Sequence, residues 1–264
     1  MNTSNFGLSM EDLNNYITHA KGTIPLILSV PHGGELLCEE IPTRTDGILG
    51  IDKNTIFLTQ DLIQQVKNIY YEKENQIEKP SFIFCNLARS KIDLNRPIHK
   101  AFDQSSILAK NVYFSYHNTL EKYITHNKAN FKKSLLLDIH GFEVKSRPRS
   151  FRDVDIILGT DNIKSLYAKP IKKKEWSNNI RGNIINKFLE QDIAIAPGHP
   201  SRHEYVLSGG YITKKYGASQ IRNSQTIQIE FSDRIRIHND ELKRIVLNSL
   251  AEVIFKYFKT SNFL

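Results

Sequence analysis

The chain has 264 residues, 40% of them hydrophobic and 24% charged, a composition that excludes a disordered protein and leaves room for a sizeable buried core. No apolar run approaches the roughly 18 to 20 residues needed to cross a bilayer, and two cysteines, Cys38 and Cys85, cannot build a disulfide framework. The net charge of +8 suits anionic partners, but "KPIKKKEW" at 169–176 is its one tight cluster, read here as a solvated loop, so nucleic acid is not the expected partner.

The N-terminus, "MNTSNFGLSMEDLNNYITHAKG", lacks the charged-then-apolar pattern of a secretory signal, and a cytoplasmic protein is expected. Short apolar runs then alternate with longer stretches of helical period. Strands are predicted at "IPLILSV" (24–30), "SFIFCNL" (81–87), "SLLLDI" (134–139), "VDIILG" (154–159) and "TIQIEF" (226–231). Between the first two, Ile56, Leu58, Leu62, Ile63, Val66 and Ile69 recur at helical spacing, with Asp52 and Asn54 placed as caps. Further helices are expected at about 105–127, 177–190 and 240–258. The segments 141–152 and 196–217 have no clean period and read as loops above the sheet. This alternation predicts an α/β fold with a mixed, mostly parallel sheet flanked by helices. With no repeat and no linker, residues 1–264 are expected to form a single catalytic domain.

His32 follows "LILSVP" and His140 follows "LLLDI", and each is followed at once by glycine. On parallel strands, both imidazoles would emerge at one carboxyl edge, with Gly33, Gly34 and Gly141 leaving room beside them. Neutral imidazole suits zinc, and catalytic zinc commonly takes three protein ligands and a water. The third ligand is expected to be a carboxylate. Glu35 makes an H-x-x-E with His32, while Asp52 lies at the mouth of the first long helix, where it could equally serve as a cap. Asp138, two residues before His140, faces the same side of its strand, where it either orients an imidazole or is a buried acid bonded to backbone.

In "NLARSKIDLNRP" (86–97), Arg89, Asp93, Asn95 and Arg96 put two cations and an amide in one loop. They suit a substrate carboxylate, or else Asp93 braces the loop by pairing with an arginine. Glu230 sits inside an apolar strand, where an acid is costly unless it is paired or useful. It is either a general base with a raised pKa or the partner of Arg234 or Arg236. Cysteine nucleophiles are the weaker reading, since Cys85 lies within an apolar strand and Cys38 beside two glutamates.

With His32, "DLNR" at 93–96, "DIHG" at 138–141, "GGYITKKYG" at 209–217 and "IQIE" at 227–230 in this order, the chain resembles the N-formylglutamate amidohydrolase family over about residues 24–235. The resemblance implies a zinc carboxypeptidase-like fold and one zinc ion, or another divalent metal, held by His32 and His140 with Asp52 favoured over Glu35. It implies Glu230 as general base, Asn95 and Arg96 on the substrate carboxylate or developing oxyanion, Arg89 as a second anionic clamp, and Gly210 and Tyr211 among the substrate-binding residues. The implied activity is hydrolysis of the amide of a small anionic N-acyl amino acid. A carboxypeptidase-like peptidase acting on a short peptide, or a non-catalytic binding protein for an anionic ligand or nucleic acid on the same scaffold, are the alternatives. The chain departs from the family's usual P-H-S-G and D-x-H-S, having P-H-G-G and D-I-H-G, which bears on substrate more than on chemistry. His199 and His203 have no assigned role.

Overall fold

The structure, a computed structural model, describes residue 13, residues 15–147 and residues 152–260; part of the expected loop at 141–152 and most of the N-terminal segment therefore lie outside the described residues. Its strands are β1 (Ile17–Ala20), β2 (Leu26–Val30), β3 (Ser81–Cys85), β4 (Ser134–Phe142), β5 (Ile156–Gly159), β6 (Ile195–Ala196) and β7 (Ser224–Ser232). Its α-helices are α1 (Thr55–Glu74), α2 (Ile98–Ala101), α3 (Ile107–Phe131), α4 (Ile180–Leu189), α5 (Tyr211–Tyr216) and α6 (Asp240–Thr260).

The strands form one mixed sheet in the order β1-β3-β2-β4-β7-β5-β6. β3, β2, β4 and β7 run parallel; β1 is antiparallel at one edge, and β5 is antiparallel to β7 while pairing in parallel with β6. The central strands are continuous apolar runs because helices cover both faces, as parallel sheets require. One face buries Leu28, Leu137, Ile229 and Leu158 against Leu62 of α1, Ile184 of α4 and Leu250 of α6. The other buries Ile27, Ile83 and Leu136 against Val112, Tyr116 and Leu120 of α3. Each such aliphatic side chain contributes about 1.5–3 kcal/mol by burial, so truncating Leu137 to alanine would cost about 2–5 kcal/mol.

On this second face the side chains turn polar toward the carboxyl ends of the strands. Ser29 of β2 pairs with Asp138 of β4, Asp138 with Gln228 of β7, and His140 with Glu230. All share one face because directly opposed residues in a sheet point the same way. The site is built there.

The expected helices are present, with bounds shifted by a few residues. α3 is capped by Ser106, whose side chain accepts from the Ala109 N–H, and α4 by Asn179, which accepts from the Gly182 N–H. At the start of α1, by contrast, Asn54 is left-handed (φ 62°) and makes no side-chain cap bond. The expected loop at 196–217 contains the six-residue α5. Among the described residues no helix is long and apolar enough to cross a membrane.

Candidate metal centre

His32 follows the end of β2 after Pro31, and His140 lies near the end of β4. Their rings meet edge to face with centroids 4.9 Å apart, and the two Nδ1 atoms are separated by 3.2 Å. Asp52 reaches the same point from the loop before α1: its Oδ2 lies 3.1 Å from His140 Nδ1 and 3.6 Å from His32 Nδ1. The ligand atoms of His32, Asp52 and His140 all fall within 4.8 Å of one another, and all three residues are buried. The backbone holds this loop in place, because the Asp52 N–H donates to the His32 carbonyl (2.9 Å) and the Gly141 N–H donates to Asp52 Oδ2 (3.2 Å). The Asp52 carboxylate therefore turns inward rather than capping α1.

The far side of each ring fixes its tautomer. His32 Nε2 donates to Asp93 Oδ1 (2.7 Å) and His140 Nε2 to Asp138 Oδ2 (2.9 Å), an assignment made from the carboxylate partners, which can only accept. Both Nδ1 lone pairs then face Asp52 Oδ2. Three acceptors converge on a single point, and only a cation, whether a proton or a metal ion, can satisfy them together. Two imidazole nitrogens and one carboxylate oxygen, each ring backed by a carboxylate, form a donor set that fits zinc.

Behind Asp138, Ser29 Oγ donates to Oδ1 (2.8 Å) and shares a 2.9 Å hydrogen bond with Tyr116 Oη. Around Asp93 stand three arginines: Arg89 Nε at 3.2 Å, Arg96 Nε at 3.5 Å and Arg44 Nη1 at 3.9 Å. Burial alone pushes the Asp93 carboxyl up, but His32, Arg89 and Arg44 outweigh it and hold it well below the usual carboxylate range. Burial likewise raises Asp52, and its hydrogen bonds with His140 and His32 overcome that and lower it. His140 goes the other way: burial lowers it, yet Asp138, Asp52 and Glu230 together raise it well above the ordinary histidine value.

Glu230 faces this cluster from β7, in register with His140. Gln228 Nε2 donates to Glu230 Oε1 (2.8 Å), while Gln228 Oε1 accepts from the Gly210 N–H (2.6 Å). Burial raises the Glu230 carboxyl, and the Asp52 charge adds to that against the opposing pull of His140. Glu230 pairs with neither candidate arginine: Arg234 binds Asp153 and Asp155, and Arg236 binds backbone carbonyls and Glu143. Asn95 is buried; its Oδ1 accepts from the Ile212 N–H (2.8 Å), and its Nδ2 lies 3.3 Å from His140 Nε2. Tyr211 opens α5 and sets its ring edge-on to His117.

Several expectations need correction. Glu35 is exposed and stands outside the converging set; its neighbours Gly34 and Leu36 bridge to Ala88 and Leu87. Arg89 does not present an open fork to a ligand, because its guanidinium spans Asp52 Oδ1 (3.7 Å) and Asp93 Oδ2 (3.2 Å). Arg96, with 46% of its side chain exposed, is the arginine of that loop that solvent reaches. The glycines make tight packing rather than open space. A Cβ on Gly34 would lie 2.1 Å from the Asn86 backbone, and one on Gly141 would lie 2.5 Å from the Arg236 guanidinium.

In fold the chain is similar to an N-formylglutamate amidohydrolase. The crystal structure of that enzyme from Ralstonia eutropha JMP134 superposes with a TM-score of 0.63 at 12% identity, covering 93% of this chain and 99% of the other. A gene product from Agrobacterium tumefaciens, Atu2144, matches with a TM-score of 0.63 at 13% identity, over 95% of this chain and 97% of that one. A metallo-carboxypeptidase from Burkholderia cenocepacia is more distant, at a TM-score of 0.44 and 11% identity over 91% of this chain and 59% of its own length. No family model matches the sequence, and no curated protein matches it. At these identities the likeness is one of fold.

Arg44 at the site goes unrecognised in the sequence, and Arg236 is read there only as a candidate partner of Glu230. Arg44 lies in the aperiodic stretch before Asp52, and buried there it donates to the carbonyls of Asp46, Ile48 and Arg89. Arg236 donates to the carbonyls of Phe231 (3.0 Å), Phe142 (3.0 Å) and Lys53, tying the ends of β7 and β4 to the residue next to Asp52. Neither of these backbone-binding roles had a signal beyond residue type. His199 and His203 make local contacts, with the Ser201 N–H and with Asn162, and stand outside the cluster.

Proposed function

We propose that the protein is a cytoplasmic, zinc-dependent amidohydrolase that cleaves the amide of a small anionic N-acyl amino acid or short peptide. The observation that carries this reading is the convergence of His32 Nδ1, His140 Nδ1 and Asp52 Oδ2, three buried acceptors within 4.8 Å of one another and each braced from behind. The similarity of fold to an N-formylglutamate amidohydrolase supports the same class of chemistry. Bound there, zinc would act as a Lewis acid and bring the pKa of a water to about 7.

Glu230 takes the proton of the attacking water. Its half-buried carboxyl is raised in pKa, which improves it as a base near neutrality and lets it hand the proton to the departing amine. One water is consumed, the C–N bond breaks, and a carboxylic acid and an amine leave. Arg96, the exposed arginine beside the centre, takes the substrate carboxylate in a two-bonded clamp. Asn95, pinned by the Ile212 N–H, packs its amide against the Nε2 side of the His140 ring and helps to hold that imidazole in place.

Glu230→Gln tests the assignment. Zinc content should match wild type while amine release from an N-acyl amino acid falls by about 100-fold or more, the range for a lost general base. An unchanged rate would refute the role of Glu230. Undiminished ligand binding by a His140→Ala protein that never held metal would favour a binding protein instead.

A further inference from the structure

The register of the sheet extends the site sideways. His140 pairs with Glu230, Glu230 with Ile157 of β5, and Ile157 with Ala196 of β6, so these four residues form one row across one face of the sheet. On this face a loop, rather than α3, covers Ile157 and Ala196. Under it lies a cavity of about 380 Å3 lined by Ile157, Ala196, Val206 and Leu207, with Lys173 and Arg202 also on its walls. Ile157 in the cavity wall is thus the cross-strand neighbour of Glu230, on the side away from His32 and Arg96.

Its wall is fixed in advance. Glu204, which also borders the cavity, is buried and accepts from the N–H groups of Thr160 (2.8 Å) and Asn162 (2.9 Å). Arg181 Nε stands 2.9 Å from Glu204, and the same guanidinium donates to the carbonyls of Pro200 (2.6 Å) and Arg202 (2.8 Å). With Glu204 compensated by Arg181, the lining is an apolar floor under a positive rim.

We propose that this cavity is the acyl subsite, and that it takes an acyl group longer than formyl, with an apolar stem against Ile157, Val206 and Leu207 and a distal anionic group at Lys173 and Arg202. The inference rests on the amide hydrolysis proposed above. If the carboxylate of the amine half meets Arg96, the row His140, Glu230, Ile157 directs the acyl half the opposite way, past Glu230 toward Ile157. A formyl group leaves that space unused, whereas a cavity of about 380 Å3 holds on the order of ten non-hydrogen atoms, taking about 30 Å3 for each as for water.

The chain contains one tryptophan, Trp176, whose ring stands edge-on to His203 on the cavity wall with centroids 4.7 Å apart, so its fluorescence reports on occupancy without turnover. Titrating the full-length protein with formate, hexanoate and adipate should give saturable changes for hexanoate and, more tightly, for adipate, and none for formate. The double variant Val206→Phe, Leu207→Phe should weaken adipate about 10-fold or more. Equal responses to formate and adipate, or adipate binding unchanged in that variant, would overturn the subsite; hexanoate binding as tightly as adipate would overturn its anionic part. With zinc-loaded protein, N-adipoylglutamate should be cleaved faster than N-formylglutamate. The reverse order would overturn the subsite while leaving the hydrolase reading intact. Adipate binding that is lost in the filled variant, without hydrolysis of either compound, would uphold the subsite and refute the hydrolase reading alone.

Discussion

Asp93 offers the sharpest test of how the centre is held. It is fully buried, accepts from His32 Nε2 at 2.7 Å, and is the shared partner of Arg44, Arg89 and Arg96. Asp93→Asn keeps an acceptor for His32 but removes the charge, and Asp93→Ala removes both. A charge-assisted hydrogen bond contributes about 1.5–3 kcal/mol. Loss of a carboxylate behind a metal-binding histidine costs about 10- to 100-fold in metal affinity, or about 1.4–2.7 kcal/mol, so the two estimates agree. Competition against a chromophoric chelator should show zinc held about 10-fold more weakly by Asp93→Asn and about 100-fold more weakly by Asp93→Ala. The alanine variant also leaves three cations without their shared anion, and should lose about 3–5 kcal/mol of stability in urea denaturation. If Asp93→Ala bound zinc with wild-type affinity, the idea that Asp93 sets the tautomer and aim of His32 would be wrong.

Two further outcomes follow from buried groups away from the centre. His117 is buried among Tyr113, Tyr116 and Tyr216, and burial, aided by the Lys215 charge, pushes its pKa down to about 3. The folded chain therefore binds fewer protons here than the unfolded chain, whose histidine titrates near about 6.5. Its stabilising effect is complete above about pH 6.5 and is lost as the pH falls toward about 3, at up to about 1.4 kcal/mol per pH unit. His117→Gln should flatten the dependence of the urea midpoint on pH between about 4 and 6, and an unchanged slope would contradict the assignment. Arg181→Met strands the buried Glu204 carboxylate and should cost about 3–5 kcal/mol by urea denaturation; a loss below about 1 kcal/mol would show that the pair does not brace the loop over β5 and β6.

What the sequence makes legible here follows physical lines. β2, β4 and β7 are readable because strands buried on both faces need unbroken apolar runs, and a polar residue that interrupts such a run, such as Asp138, His140 or Glu230, stands out. β1 escapes because "ITHA" is a four-residue edge strand with two exposed positions, and β6 because two residues carry no period. α5 escapes for its length: six residues behind two glycines look like a loop. The histidine pair is visible from its matching context, but residue types alone leave the third member open between Asp52 and Glu35. Asp52 sits where caps sit, and only the chain's return from the end of β2, with its N–H on the His32 carbonyl, decides where the carboxylate points. Asp93 is the harder case. A lone acid among arginines reads as a brace, and its second role, orienting His32, depends on a contact across 61 positions of sequence that no local pattern encodes.

Zinc stoichiometry in a matched set of variants tests the central claim most directly. The protein loaded with zinc and passed through a desalting column should retain one ion per chain, and Glu35→Ala should retain it equally. His32→Ala, Asp52→Ala and His140→Ala should each lose it while remaining folded by circular dichroism. Wild-type protein that retains no zinc, or a folded Asp52→Ala variant that retains a full equivalent, would contradict the account.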